Sequence, residues 1–322
     1  MTALRFTIPT VLLALATILW AAPLDITPPP APPDDAPPNE PVQTAPSRSG
    51  MNPGQAVVLG LVEGLTEYLP VSSTGHLLVV QNWMGIGPKE SADAYAICIQ
   101  AGAILAVLGL YFRRVRQMAV GILGKDDNGR RLAINLVVAF VPAMIIGLAF
   151  NDRIKANLFG MWPIITAWFV GGVAILIVAW SRRGKSPRAG ASIDLLTWKT
   201  ALIIGVAQCL AMWPGTSRSL VTIVGAVLVG LSLPAAVEFS FLLGVITLGA
   251  ATCHDAYKYG QQMLETYGSL NLALGFLFAF LSAVIAIKWM VAYLSKHGLV
   301  VFGYYRVAIA IITAALILAG LT

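Results

Sequence analysis

From Met51 onward the chain is a succession of apolar runs of about twenty residues, the length that crosses a bilayer as an α-helix. Six runs are continuous: 93–112, 132–150, 161–180, 235–252, 269–289 and 300–321. Two further stretches, 53–85 and 198–232, are built differently. Each is a pair of short apolar pieces around a polar, Pro- and Gly-containing centre, LPVSSTGH over Leu69–His76 and WPGTSRS over Trp213–Ser219. Backbone that leaves the helix at membrane depth has unpaired N–H and C=O groups, and is tolerated only where protein or a water-filled cavity covers it. Both stretches are therefore predicted to be re-entrant helical hairpins with tips near the bilayer centre.

Composition agrees with a membrane solvent. Of 322 residues, 57% are hydrophobic and 11% charged, against about 25% charged in soluble domains. That excludes a water-solvated globule. It also excludes a nucleic-acid partner, because a net charge of +6 on so few charged residues makes no basic face. Cys98, Cys209 and Cys253 are odd in number, far apart and set in apolar runs, which suits packing better than a disulfide or metal framework.

The first fifty residues are a separate object. Residues 1–24 read as a signal peptide or an N-terminal anchor helix, and the anchor is favoured because Pro23 follows the Ala21-Ala22 pair directly. Ten prolines fall between Pro23 and Pro46, so 25–50 is expected to be an extended linker leading to a membrane core over 51–322. Lys and Arg set the orientation of the core. Fourteen lie on the side of the loops after the first and third spans, with Lys288, Lys296 and Arg306 counted there, against five on the other. The core then starts and ends outside the cytoplasm.

The hairpins resemble each other. Gly60-Leu-Val-Glu63 matches Gly205-Val-Ala-Gln208, and Pro70-Val-Ser-Ser73-Thr74 matches Pro214-Gly-Thr-Ser217-Arg218, at offsets of 145 before the tip and 144 at it. Three spans follow each hairpin, an odd number, so the second copy starts on the opposite face. The expected fold is an all-α polytopic membrane protein with an inverted-topology repeat, each half a re-entrant hairpin plus three transmembrane helices. Interrupted segments at matching positions point to a site at the midplane.

The tips gather the polar side chains. Ionisable groups within a membrane cost roughly 3 kcal/mol or more on insertion scales, and are functional by default. Glu63 and Glu67, four apart, share a helix face and suit either a hard divalent cation or general-base work. Arg218 opens a helix in a loop with Thr216, Ser217 and Ser219, where a guanidinium fork and helix N–H groups favour a phosphate. Ser72, Ser73, Thr74 and His76 face it from the first tip. The blander alternatives are an Arg–Glu strut between hairpins, a proton relay and a structural histidine; Asp93, Gln100 and Glu238 are supporting candidates.

The two motifs, EGLTEYLPVSSTGH over Glu63–His76 and WPGTSRS over Trp213–Ser219, resemble the signatures of the undecaprenyl-diphosphate phosphatase (bacitracin-resistance) family, and the resemblance covers about 51–322. It implies an enzyme that hydrolyses undecaprenyl diphosphate to the monophosphate and phosphate at the outer face of the bacterial inner membrane. The carrier lipid is thereby recycled for cell-wall synthesis, and bacitracin resistance is conferred. It further implies a divalent cation, Mg²⁺ or alternatively Ca²⁺, on Glu63 and Glu67, and Glu67, Ser73, His76 and Arg218 as catalytic groups. Ser72, Thr74, Thr216, Ser217 and Ser219 join Arg218 in holding phosphate. Whether Ser73, His76 or water attacks is left open, as is a homodimer. Leu220 departs from the glycine common after Ser-Arg-Ser, and the first fifty residues have no counterpart. The rival class is a secondary transporter or lipid flippase, whose architecture inverted repeats also serve.

Overall fold

The computed structural model describes residues 51–320 apart from 87, 88, 159, 182, 183, 185 and 187; the leader and linker expected over 1–50 lie outside the described residues. The regular structure of the described residues is helical. Its helices are α1 (Pro53–Thr66), α2 (Ser73–Trp83), α3 (Lys89–Leu110), α4 (Phe112–Ile122), α5 (Asp127–Leu158), α6 (Met161–Ser181), α7 (Trp198–Gln208), α8 (Arg218–Leu228), α9 (Leu233–His297) and α10 (Val300–Leu318). Among the described residues the sole β pairing is an isolated bridge between Ala191 and Leu231.

Among the described residues, four helices are long and apolar enough to cross a membrane: Asp127–Phe150 of α5, α6, α9 and α10. Ala94–Leu110 with Phe112–Ile122, bent by 79°, makes a fifth if counted as one span. The protein is a multi-pass membrane protein on these grounds. The apolar runs 235–252 and 269–289 both fall in α9, which breaks at Gly268 (φ 75°, ψ 155°). On the first limb Glu238 meets Arg114 and Thr252 donates to the carbonyl of Ile97. On the second, the Asn271 carbonyl accepts from Tyr95, and the backbone of Phe276 lies against Gly102. The first limb thus runs against α3 and the second runs with it, so the chain reverses at Gly268. A positive φ there is open to glycine without steric cost.

The two hairpins begin alike. Asn52 caps α1 by accepting from Gln55 N while the Gln55 side chain accepts from Asn52 N, and Thr197 and Thr200 form the same reciprocal cap on α7. Each first limb packs through a glycine: Gly60 lies on the backbone of Gly275, and Gly205 on that of Ala139. Apolar side chains gain little by leaving lipid for protein, so membrane helices associate through such close approaches of small residues. The largest buried cluster, including Tyr68, Leu136, Ile204, Ile223, Phe241 and Ile287, joins both hairpins to α5 and α9. On another part of the core Arg114 ties α4 to Glu238 at 2.6 Å and to Asp194 at 3.1 Å.

Candidate active site

After α1 the chain turns over Glu67–Ser72 and re-enters helix at Ser73. After α7 and a 3₁₀ turn at Cys209–Met212 it passes through Trp213–Ser217 and re-enters helix at Arg218. Ser72 and Ser217, immediately before those helices, both have φ 75°, and among the described residues they are the non-glycine residues with positive φ. Such backbone costs roughly 1–3 kcal/mol for a residue with a Cβ, and clusters where surrounding structure has reason to enforce it. This geometry corrects the register read from the sequence, which set Ser217 against Ser73. Backbone conformation sets it against Ser72, so Ser73 and Arg218 take corresponding first positions in α2 and α8. Matching serine to serine shifted the tips by one residue because side-chain identity there does not track φ and ψ.

One carboxylate joins the two tips. The Ser73 hydroxyl donates to Glu67 Oε2. Arg218 Nη2 donates to Glu67 Oε1 at 3.3 Å, and its Nη1 to the Ser240 carbonyl at 3.0 Å. The guanidinium also sits 5.3 Å from the centre of the Tyr68 ring, close enough for a favourable cation–π contact. Ser73, Glu67 and Arg218 line a cleft of about 140 Å³ together with Ser72, Thr74, Ser217 and Gln100. A polar space of that size admits a phosphate group but not a polyprenyl chain. Thr74 is exposed at its edge, whereas Glu67, Ser72, Ser73 and Ser217 are buried.

Glu63, Ser219, Thr216 and His76 fall outside the lining. Glu63 is buried one helical turn before Glu67, with Glu67 and Gln100 as neighbours and its Oε1 without a hydrogen-bond partner. Ser219 is fully buried and donates to the Leu69 carbonyl at 2.8 Å, which fastens the second tip to the first. Ser217 Oγ accepts from Leu220 N at 3.2 Å as the cap of α8. The backbone N–H of Thr216 donates to Trp213 O at 3.1 Å. His76 faces elsewhere: its Nδ1 lies 2.6 Å from the Ser72 carbonyl and its Nε2 2.7 Å from the Tyr305 hydroxyl, with the Trp168 ring alongside. The tautomer that satisfies both contacts carries its proton on Nδ1 and accepts the tyrosine O–H at Nε2. The side chain of Asp93 lies outside the described residues.

Could a divalent cation sit here? Among the described residues no three His, Cys, Asp or Glu side chains cluster. The acidic pair nonetheless suits a hard cation that keeps several waters and bridges carboxylate to phosphate, and the buried Glu63 Oε1 has no hydrogen-bond partner and is open to such a ligand.

Sequence reasoning missed one residue. The charge pattern groups Arg306 with the basic loop residues, but it lies within α10, fully buried, and donates to the carbonyls of Ala167 at 2.8 Å, Gly215 at 2.9 Å and Pro70 at 3.4 Å. The charge count on that face falls by one. The available signal was an arginine inside the apolar run 300–321, where a charge is costly.

Comparison with known proteins converges on one group. The family profile described as "Bacitracin resistance protein BacA" matches residues 56–312. "Undecaprenyl-diphosphatase 2" of Rhodospirillum rubrum is 44% identical over 83% of this chain and 96% of its own length. "Undecaprenyl-diphosphatase" of Sorangium cellulosum is 44% identical over 79% of this chain and 83% of its own. The protein of the same name from Ectopseudomonas mendocina is 42% identical over 81% and 92%. With both hairpin tips inside the matched region, the chain belongs to the bacitracin resistance protein BacA family.

Proposed function

We propose that this protein hydrolyses undecaprenyl diphosphate to undecaprenyl phosphate and inorganic phosphate, recycling the carrier lipid of cell-wall synthesis and conferring bacitracin resistance. The observation that carries the reading is the chain Ser73–Glu67–Arg218 across two hairpin tips: a hydroxyl on a carboxylate, and a guanidinium on the same carboxylate, beside a phosphate-sized cleft. The relatives' names and the family description support the substrate.

In this mechanism the diphosphate enters the cleft and the prenyl chain stays among the spans. Arg218 offers its guanidinium to the terminal phosphate, with Thr74 and Ser217 as further donors, and stabilises the charge that spreads over the phosphoryl oxygens in the transition state. Ser73 Oγ attacks the terminal phosphorus while Glu67 takes the hydroxyl proton. The anhydride P–O bond breaks, and Glu67 gives the proton to the departing phosphate oxygen. Water then attacks the phosphoserine as Glu67 accepts its proton, and Ser73 leaves with that proton. Glu63 and Glu67 would hold a divalent cation, Mg²⁺ or Ca²⁺, which when bound supplies charge neutralisation at the phosphate. His76, held by Ser72 and Tyr305, fixes the turn that presents Ser73.

The wider architecture proposed is six spans with two re-entrant hairpins in an inverted repeat, the cleft opening to the periplasmic face of a bacterial inner membrane. Three things support it: the reciprocal caps at Asn52 and Thr197, the shared φ of Ser72 and Ser217, and the reversal of α9 at Gly268, which divides that helix into two lengths.

The test is release of inorganic phosphate from a polyprenyl diphosphate by the purified protein in detergent, where transport has no meaning. The wild type is expected to release phosphate, and Arg218→Ala to lose turnover while remaining folded. Near-normal turnover by Arg218→Ala would remove the clamp from the mechanism; no release by the wild type would leave the transporter reading in its place.

A further inference from the structure

Arg306 is a fully buried guanidinium in the middle of a membrane helix, and among the described residues no carboxylate pairs with it. Its partners are carbonyls: Pro70 in the first tip, Gly215 in the second and Ala167 on α6. Pro70 stands two residues before Ser72, and Gly215 two before Ser217, so one side chain holds the same point of both tips. A guanidinium suits this, since its donors lie in one plane at fixed angles and reach several acceptors at once. An ammonium at the end of a flexible stem does not reproduce it. Both strained serines follow directly from the anchored points, and Ser73 and Arg218 follow from the serines.

We propose that Arg306 is the positioning residue of the active site, setting the separation of the two tips and hence of the Ser73 hydroxyl from the Arg218 guanidinium. It touches no cleft surface itself and acts through the carbonyls of Pro70 and Gly215. The inference rests on the phosphatase reading above.

A glycine supplies an independent handle. Gly171 on α6 lies against the Arg306 guanidinium, and a Cβ placed there would overlap its terminal nitrogen and carbon atoms. Gly171→Ala therefore displaces the guanidinium from its carbonyls while leaving Arg306, the cleft and every proposed catalytic group in the chain.

The experiment measures kcat and KM for polyprenyl diphosphate with purified Arg306→Lys and Gly171→Ala in detergent, alongside thermal unfolding. Both variants are expected to remain folded and to lose about a hundredfold in kcat with KM changed by less than about threefold, the result of an ångström-scale misplacement of reacting groups. Substrate still binds, because Arg218 and the cleft hydroxyls are intact. If either folded variant turns over at the wild-type rate, the inference is overturned. It is equally overturned if the loss appears wholly in KM, which would make Arg306 a binding charge. Should Arg306→Lys not yield folded protein, Gly171→Ala carries the test alone with the same outcomes. Wild-type turnover in the same assay separates this inference from the functional reading: its absence would sink the latter, whatever the variants do.

Discussion

In the first tip Glu63, Glu67 and Ser73 line up along α1 and the start of α2; the corresponding positions of the second tip hold Gln208, Met212 and Arg218. The backbones share reciprocal caps at Asn52 and Thr197 and φ 75° at Ser72 and Ser217, and differ at Gly215, where φ is 91° opposite Pro70. The side chains differ in kind. The first tip carries the acids and the hydroxyl, the second the cation. Their helix starts differ in the same sense: Ser217 caps α8 through Leu220 N, whereas Ser72 makes no side-chain cap on α2. Free N–H groups at a helix start favour an anion, and α2 is the start left without a side-chain cap, while α8 opens with the guanidinium of Arg218. Two tips that share a strained serine before a helix carry complementary side chains. Residues 73 and 218 meet on different oxygens of one carboxylate, that of Glu67.

This division is open to attack one side chain at a time. The largest effect is expected on the acid and hydroxyl side: Ser73→Ala and Glu67→Gln should each lower kcat by on the order of 10³-fold or more, and a folded Ser73→Ala with a tenth of wild-type turnover would pass the attack to water. Next comes the cation. Arg218→Lys keeps the charge opposite Glu67 but loses the fork, so a drop of about 10²–10³-fold in kcat is anticipated, measured as phosphate release. His76→Gln sharpens the comparison from within the first tip. Because the ring contacts Ser72 and Tyr305 and not the cleft, turnover should stay within about tenfold of wild type; a loss of 10²–10⁴-fold would mark an acid–base role. The smallest effect belongs to Ser217→Ala, where loss of the α8 cap should lower stability by about 1 kcal/mol, visible as a lower Tm, with turnover less affected than in Arg218→Lys.

Much of the site was legible because charge is so rare in this chain. With 11% of residues charged, Glu63, Glu67 and Arg218 stand out against apolar neighbours, and the Pro-, Gly- and Ser-containing centres mark where helix must break. His76 was harder. It lies just beyond a turn whose serine has positive φ, and that turn sets the phase of α2, so residue order alone does not tell whether its ring faces the cleft or Tyr305. Arg306 was misread for a different reason. Its acceptors, Pro70 and Gly215, lie 236 and 91 positions away, and carbonyls leave no trace in side-chain patterns.

Taken alone, the sequence determined the solvent of this protein, the placement of its apolar helices and the residue types able to handle a phosphate. Those follow from local hydrophobicity and from the cost of placing a charge in lipid, which hold wherever the chain goes. Only tertiary structure decided the register of the tips, the reversal at Gly268, the direction of His76 and the reach of Arg306. Each depends on a torsion angle or a through-space contact between segments far apart in the chain, and neither is written in the order of side chains along it.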